Sequence, residues 1–385
     1  MEELVFVDRR KTNCAKWDAL DQIFGKADLH AMWVADMDIK SPACVRKALQ
    51  DYVSMGAFGY YSVPDSYYQA FIGWEERHHG FSPQKEWLRF APGVIAAFNW
   101  GVQAFSNAGD AVIVLTPVYY PFLNAVEDNG RKLVTSDLVN ENGSYSIDFD
   151  DFEKKILENA VKLFILCSPH NPVGRVWKRE ELSALFEICK KHDVMIISDE
   201  IHQDLTFGGH ENVPSFTVGD YNDRMICLTA PSKTFNLAGC QNSFIIIPDE
   251  KIRARWDQYT KGLGMGGNSF GYVAAEAAYR DGDDWYDAMR AHIEANYQYV
   301  RDRIREDLPG VVISPLEGTY LLWLDLRYYA DPAKTKDLLI KKCSLAPDLG
   351  EWFGGERFAG FARFNLATSR ENVEKGMNLL TRIKD

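Results

Sequence analysis

Short apolar runs recur through the middle of the chain, separated by stretches in which apolar residues return at helical spacing. Five runs lack any polar alternation and span residues 111–116, 162–167, 194–198, 225–228 and 243–248. Runs of this kind are typical of strands that are buried on both faces of a sheet. Between two of them, residues 179–192 place leucine, phenylalanine, isoleucine and cysteine at helical spacing. The pattern therefore predicts an α/β fold with a mostly parallel, doubly covered sheet.

Polar side chains follow four of these runs, where the predicted strands end. They are Tyr119, Asn171, Asp199, His202 and Lys233. In open α/β sheets, ligands bind outside the carboxyl ends of the strands. Although a lysine after a strand is most often solvated, this convergence makes Lys233, between Ser232 and Thr234, the leading candidate for a catalytic group.

Glycine and proline mark turns ahead of the sheet. Gly93 precedes an apolar helical stretch, and such a turn directs backbone N–H groups and the positive end of the helix dipole toward an anion. A plain helix start fits the same residues equally well. Upstream, Ser41 and Pro42 predict the N-cap and first position of a helix that extends to Val53. The tyrosine-rich loop 58–64 is more typical of a surface or interface than of a binding site.

The character of the chain changes near residue 281. A long helical stretch, two strand-like runs and a final helical stretch follow, the first three at 285–308, 318–325 and 361–367. The change predicts two domains, a large one of residues 41–280 and a small α+β one of residues 1–40 and 281–385. Arg363 lies in the last strand-like run, and its spacing alone predicts an outward-facing side chain on a half-exposed sheet.

Composition and charge reduce the number of functional classes that fit the sequence. Of the 385 residues, 46% are hydrophobic and 25% are charged, as in ordinary globular proteins. The net charge of −12 argues against a nucleic-acid-binding surface, because phosphates require a basic face. The sequence contains no 18-residue apolar run that would predict a membrane span, and its first residues do not resemble a signal peptide. The seven scattered cysteines are typical of reduced thiols, so we expect a cytoplasmic protein.

Two common cofactor and metal patterns do not apply. Residues 262–267 formally match G-x-G-x-x-G, but a polar helical stretch precedes them instead of a strand, so they predict a linker rather than a dinucleotide site. The sequence has no C-x-x-C or H-E-x-x-H motif, and its eight histidines lack ligand spacing, which predicts no metal site.

The motifs Ser-Pro-His-Asn171-Pro-Val-Gly174, Ser-Asp199-Glu-Ile-His202, Ser232-Lys233-Thr-Phe-Asn and Arg363-Phe-Asn-Leu-Ala occur in this order. Together they resemble the fold-type I pyridoxal-phosphate enzymes, the aspartate aminotransferase superfamily, from about residue 30 to the end of the chain. One branch, the MalY/PatB type of cystathionine β-lyase or C–S lyase, is most similar at Trp33-Val-Ala-Asp-Met-Asp38, Phe58-Gly-Tyr60, Asp199-Glu-Ile-His202 and Lys233-Thr-Phe-Asn-Leu-Ala-Gly239. The resemblance implies an aspartate aminotransferase-like fold whose large domain binds the cofactor.

The resemblance also implies roles around the cofactor ring. Lys233 would carry pyridoxal 5′-phosphate covalently and, once released, would take the Cα proton of the substrate. Asp199 would keep the pyridine nitrogen protonated. Asn171 and His202 would hydrogen-bond the 3′ oxygen of the ring, and Tyr119 would stack on the ring face.

Further implied roles concern the phosphate and the substrate. The phosphate would accept hydrogen bonds from the hydroxyl of Ser232 and from the backbone N–H groups of Gly93, Val94 and Ile95. Arg363 would hold the substrate carboxylate with its two-pronged guanidinium. Tyr60 would reach the active site of a neighbouring subunit and contact its phosphate, so the resemblance implies a homodimer with shared sites.

One position departs from the aminotransferase pattern. Enzymes of the aspartate type usually carry an arginine eight residues after the lysine, as a phosphate clamp, and this chain has Gln241 there. The phosphate would then rest on Tyr60, Ser232 and backbone amides, a less charged clamp. This departure mildly favours the C–S lyase branch.

These motifs lead to the hypothesis of a β-elimination enzyme that acts on L-cystathionine or a cysteine S-conjugate and gives a thiol, pyruvate and ammonia. The nearest alternative is an aminotransferase, which uses the same lysine, aspartate and arginine. A cofactor-binding regulator that acts through a protein partner is a further alternative, and a nicotinamide-dependent dehydrogenase rests on the fold pattern alone. The residues that would select the leaving group are expected at 33–38, at Tyr60 and Tyr61, and at Tyr320.

Overall fold

A seven-stranded sheet forms the centre of the protein within residues 2–384, which are the residues that this computed structural model describes. The strands of the chain are β1 (His30–Ala31), β2 (Leu88–Ala91), β3 (Ala111–Thr116), β4 (Lys132–Asp137), β5 (Val139–Glu141), β6 (Ser144–Ser146), β7 (Leu163–Cys167), β8 (Met195–Asp199), β9 (Met225–Thr229), β10 (Ser243–Ile246), β11 (Val312–Ile313), β12 (Leu321–Asp325), β13 (Leu345–Ala346), β14 (Asp348–Leu349) and β15 (Phe361–Asn365). The central sheet has the order β2-β10-β9-β8-β7-β3-β4, and β10 alone runs against its neighbours. The predicted mostly parallel sheet is therefore confirmed.

Helices cover both faces of this sheet. The α-helices of the described chain, some of which pack elsewhere, are α1 (Ala15–Asp18), α2 (Leu20–Phe24), α3 (Ala43–Ser54), α4 (Asp65–His79), α5 (Val94–Phe105), α6 (Tyr120–Asp128), α7 (Phe149–Asn159), α8 (Arg179–Lys191), α9 (Pro231–Thr234), α10 (Glu250–Lys261), α11 (Ser269–Asp281), α12 (Asp283–Asp307), α13 (Thr335–Asp337) and α14 (Arg370–Leu380). In β3, Val112 and Val114 pack with residues of α5 and α6, while Ile113 and Leu115 pack with residues of α7 and α8. Because successive side chains point to opposite faces, a strand covered on both sides must be apolar throughout.

A second, antiparallel sheet lies in the C-terminal part of the chain, in the order β11-β12-β15-β14. The short strand β1 pairs in parallel with β13 and ties the N-terminal segment to this part. Buried residues of both parts, such as Phe71 and Phe364, belong to one hydrophobic cluster. The division into domains at residues 40 and 280 stays a prediction.

Local boundaries differ from the expectations at the start of the first long helix. The helix begins at Ala43, with Pro42 as the preceding residue, and no side chain caps it. The hydroxyl of Ser41 instead donates to the carbonyl of Asn236, at 3.3 Å. The predicted N-cap was therefore wrong, because a contact with the loop after Lys233 occupies the hydroxyl. No helix within residues 2–384 combines the length and apolar character that crossing a membrane requires.

Candidate active site

The carboxyl ends of four parallel strands meet at one edge of the central sheet. Tyr119 follows β3 and stands at the N-cap of α6, and Asn171 follows β7. Asp199 is the last residue of β8, and Lys233 lies in the short helix α9 after β9. The register places Cys167, at the end of β7, opposite Asp199. The parallel order therefore brings together side chains that are more than a hundred residues apart in sequence.

These side chains line one pocket of about 890 Å³, which includes the solvent at its mouth. Nine of the predicted site residues line it, namely Gly93, Val94, Ile95, Tyr119, Asn171, Asp199, His202, Ser232 and Lys233. Gln241, Asn242, Ala238 and Ala35 complete much of the remaining wall. Among the lining residues within 2–384, Lys233 alone has an aliphatic amine or guanidinium.

The amine of Lys233 is buried in this pocket. Burial lowers its pKa to about 8, and Asp36, Asp199 and Asp348 oppose that shift while Arg363 adds to it. Its Nζ donates a hydrogen bond of 2.6 Å to the carbonyl oxygen of Ala35. A primary amine with a lowered pKa is a better nucleophile and base near neutral pH than an ordinary lysine.

Tyr320 helps to fix the acceptor of that hydrogen bond. Its hydroxyl is buried and donates to the same carbonyl of Ala35, at 2.9 Å. The side-chain amide of Asn365 donates to the carbonyls of Val34 and Asp36, at 2.6 and 2.7 Å. The backbone of the 34–36 segment is therefore held in place on both sides of the atom that Lys233 contacts.

Asp199 contributes a buried carboxylate to the lining of the pocket. Burial raises its pKa to about 7, although the backbone N–H of Ile201 and the charge of Lys233 oppose the shift. The Ile201 N–H donates to Oδ1 at 3.0 Å. The raised pKa means that the surrounding donors and positive charges do not offset the cost of burying the carboxylate charge. A cationic partner would therefore stabilise the carboxylate.

His202 is 3% exposed and lies in the same pocket. Burial lowers its pKa well below the usual range, and the positive charges of Lys233 and Arg363 lower it further. The imidazole is therefore neutral. Its Nδ1 is buried and has no hydrogen-bond partner within residues 2–384. An unpaired buried ring nitrogen marks a position where a bound polar group would be stabilised.

Tyr119 places an aromatic ring at the pocket wall. Burial raises the pKa of its hydroxyl, so the phenol is neutral. Its backbone N–H donates to the carbonyl of Asn171, at 3.1 Å, which ties the end of β3 to the segment after β7. Tyr119 and Asn171 both line the pocket.

Gly93 brings the start of a helix to the lining of the pocket. It stands at the N-cap of α5 with a φ of 143°, which non-glycine residues rarely adopt. The first backbone N–H groups of a twelve-residue helix have no partner within the helix and carry the positive end of its dipole. The hydroxyl-bearing Ser232 and the amide-bearing Gln241 line the same pocket. This donor set suits a phosphate.

Arg363 does not face outward, and the prediction from spacing alone was wrong. Its side chain is 2% exposed, because every residue of β15 is buried and the strand is covered on both faces. Nη1 donates to Oδ1 of Asn171 at 2.8 Å, which links the guanidinium to the pocket wall. Nη2 donates to the carboxylate of Asp348 and, at 3.5 Å, to the carbonyl of Trp33.

Two predicted site residues, Arg363 and Tyr60, do not line the pocket, and only Arg363 contacts a lining residue, Asn171. The side chain of Tyr60 is fully exposed. Phe58, two residues earlier, is also exposed and packs its ring against Phe270 at a centroid distance of 5.5 Å. Within one chain, the loop therefore presents Tyr60 to solvent.

Two contributors were not predicted from sequence. Ala35 acts through its backbone carbonyl, so no side-chain pattern could have marked it individually, although it falls within the 33–38 segment. Asp348 pairs with Arg363 from the neighbouring strand β14. A carboxylate directly before an apolar residue in a short strand is the signal that could have found it.

Comparison with known proteins places the chain in a family. The family model for aminotransferase class I and II matches residues 34–380. The cystathionine β-lyase PatB of Bacillus subtilis is 40% identical, over 96% of this chain and 96% of its own length. Protein MalY of Escherichia coli is 32% identical, over 96% and 95%. A solved structure of the PLP-bound C–S lyase from Staphylococcus hominis superposes with a TM-score of 0.92 at 35% identity, covering 98% of this chain and 97% of that one. The chain belongs to the class I and II aminotransferase family.

Proposed function

We propose that this protein is a pyridoxal-phosphate-dependent carbon–sulfur β-lyase. Its substrate is an L-amino acid with sulfur on Cβ, such as L-cystathionine or a cysteine S-conjugate, and its products are a thiol, pyruvate and ammonia. The observation that carries the proposal is the buried amine of Lys233 in one pocket with the buried carboxylate of Asp199. The similarity to PatB, a cystathionine β-lyase, and to a PLP-bound C–S lyase supports the same reaction.

The pocket fits pyridoxal 5′-phosphate at both ends. The unpaired Nδ1 of His202 and the amide of Asn171 suit a phenolic oxygen, and Asp199 suits a protonated ring nitrogen. The N-terminus of α5 and Ser232 suit the phosphate. When bound, this cofactor supplies an electron sink for the negative charge that develops at the substrate Cα.

Lys233 provides the covalent attachment point and the base. With a pKa of about 8, a substantial fraction of its amine is neutral near pH 8 and able to accept the Cα proton. The hydrogen bond to the Ala35 carbonyl orients Nζ, and Tyr320 restrains that carbonyl. Once it has accepted the Cα proton, the same amine could return that proton to the departing sulfur.

Asp199 and Arg363 hold the two charged parts of the complex. The Asp199 carboxylate would keep the ring nitrogen protonated, and a cationic partner would lower the cost of burying this carboxylate. Arg363 binds the substrate α-carboxylate from a buried position beside Asn171. Such a pairing in a dry site is short and directional, so it fixes which Cα bond faces Lys233.

We also propose that the active enzyme is a homodimer and that it is cytoplasmic. Exposed apolar side chains concentrate in the segment that carries Tyr60, and include Val53, Met55 and Phe58. Contiguous exposed apolar surface marks an interaction site, and a second copy of the chain would bring Tyr60 to the partner's pocket. The seven free thiols suit a reducing compartment.

Lysine substitution tests the proposed reaction. Lys233→Ala, reconstituted with pyridoxal phosphate, is expected to release pyruvate from L-cystathionine at least about a thousandfold more slowly than the wild type. Lys261→Ala, which removes an exposed lysine at the end of α10, is the matched control and should keep the wild-type rate. Undiminished pyruvate release by Lys233→Ala would overturn the assignment.

A further inference from the structure

Asp348 forms a buried ion pair with the arginine that would bind the substrate. Both side chains are 2% exposed, and Asp348 Oδ2 accepts a hydrogen bond from Nη2 of Arg363. The strands β14 and β15 pair in a register that sets the two residues directly opposite each other. The backbone of a sheet therefore holds the carboxylate beside the guanidinium.

The guanidinium is largely occupied in this arrangement. A carboxylate binds arginine in the two-pronged mode through two adjacent N–H groups on one edge, and both available edges of a guanidinium include Nη2. Nη2 of Arg363 already faces the Asp348 carboxylate and the carbonyl of Trp33. Nη1 donates to Asn171, and Nε is buried without a partner within residues 2–384. An incoming carboxylate must share or displace an existing acceptor at Nη2.

Charge makes this sharing unfavourable. The centroid of the Phe353 ring lies 5.0 Å from the guanidinium carbon, and the side chains of Arg363 and Asp348 are both 2% exposed, so bulk water has little access to the pair. Two carboxylates on one buried arginine repel each other strongly, since the low local dielectric screens them weakly. Asp348 therefore opposes the arrival of the substrate carboxylate for as long as it remains on Arg363.

We propose that Asp348 is a resident competitor for Arg363 that weakens the binding of substrate and product carboxylates. This inference rests on the proposed function in one respect, since it takes Arg363 as the group that binds the α-carboxylate. Because Asp348 occupies Arg363, KM is higher than it would be without this carboxylate. The product carboxylate also leaves faster for the same reason. An aspartate that served only to align Arg363 would have the opposite effect on KM.

The substitution Asp348→Asn tests the proposal because it keeps the shape and an acceptor oxygen but removes the charge. In the cofactor-loaded enzyme, KM should fall about tenfold for both L-cystathionine and S-methyl-L-cysteine. The dissociation constant of 3-(methylthio)propionate, measured by calorimetry, should fall by a similar factor. This ligand has the carboxylate but no amine, so it binds without reacting with the cofactor. Asp348→Ser is a second, smaller neutral variant and should change both constants in the same direction.

Asp325→Asn is the matched control, because Asp325 forms an ion pair with Arg327 at 2.6 Å at the end of the neighbouring strand β12. It should leave both constants unchanged. A rise or no change in KM and in the dissociation constant for Asp348→Asn would overturn the proposal, as would a fall confined to L-cystathionine. Failure of both Asp348 variants to fold would assign Asp348 to structure and overturn it too. If the wild type released no pyruvate, the proposed function would fail, whereas the calorimetric comparison would still decide the role of Asp348.

Discussion

Replacing Asp199 by asparagine should make the cofactor-free protein more stable above neutral pH, although it removes the carboxylate that we propose pairs with the cofactor ring. Burial raises the folded-state pKa of Asp199 from 3.8 to about 7. The folded protein therefore holds this proton more firmly than the unfolded chain does. The stability that Asp199 contributes in the wild type is fully present below pH 3.8, falls as pH rises to about 7, and stays low above that.

The magnitude follows from the pKa difference. The difference between about 7 and 3.8 is about three pH units, and each unit corresponds to about 1.36 kcal/mol. Asp199→Asn should therefore raise the free energy of unfolding by about 4 kcal/mol at pH 8 and by less than half of that at pH 5. Asparagine keeps the oxygen that accepts the Ile201 N–H, so the substitution preserves that contact.

Urea unfolding of the cofactor-free proteins, followed by tryptophan fluorescence at pH 5 and pH 8, measures this effect. Asp204→Asn is the matched control, since burial raises the pKa of Asp204 but hydrogen bonds from His79, Thr234 and Trp74 lower it more. The same substitution there should destabilise the protein at pH 8. If Asp199→Asn were no more stable than the wild type at pH 8, the reasoning about the under-compensated carboxylate would be refuted.

Two further predictions concern the phosphate end and the buried network behind the pocket. Gln241→Arg should tighten pyridoxal phosphate binding by about tenfold, because it adds a charge-assisted donor where the pocket has amides and hydroxyls. Equilibrium dialysis would check this prediction. Binding weaker than that of the wild type would contradict the inference that the phosphate site lacks a positively charged donor at position 241. His79→Gln should lose up to about 3 kcal/mol of stability at pH 6 and little at pH 10. Burial disfavours the charged imidazole of His79, but Asp204 at 2.7 Å raises its pKa to about 9. The stabilisation is therefore complete below pH 6.5 and is lost as the pH rises through about 9. An equal loss of unfolding free energy at both pH values would show that packing, not charge, is involved.

Much of the fold and several site positions could be predicted from the chain pattern. Strands buried on both faces leave unbroken apolar runs, so β3 and β7 were visible without any partner residue. Lys233 and Asp199 could be found because they stand where such runs end, and strand ends converge in a parallel sheet.

Other features depended on contacts that a local pattern does not contain. Spacing placed Arg363 on a half-exposed surface, but it pairs with Asp348 on a neighbouring strand and with Asn171, which is 192 residues away in sequence, and local spacing shows neither contact. Ser41 was expected to cap a helix, but its hydroxyl contacts Asn236 instead. Tyr60 can be related to the pocket only through a second chain, so its role stays a prediction.

The most direct test of the proposed lyase is the release of pyruvate and thiol from L-cystathionine by the cofactor-loaded protein with no 2-oxo acid present. We predict sustained release of both products at equal rates, since elimination needs no second substrate. Activity that began only after a 2-oxo acid was added would contradict this account and would identify the reaction as amino transfer.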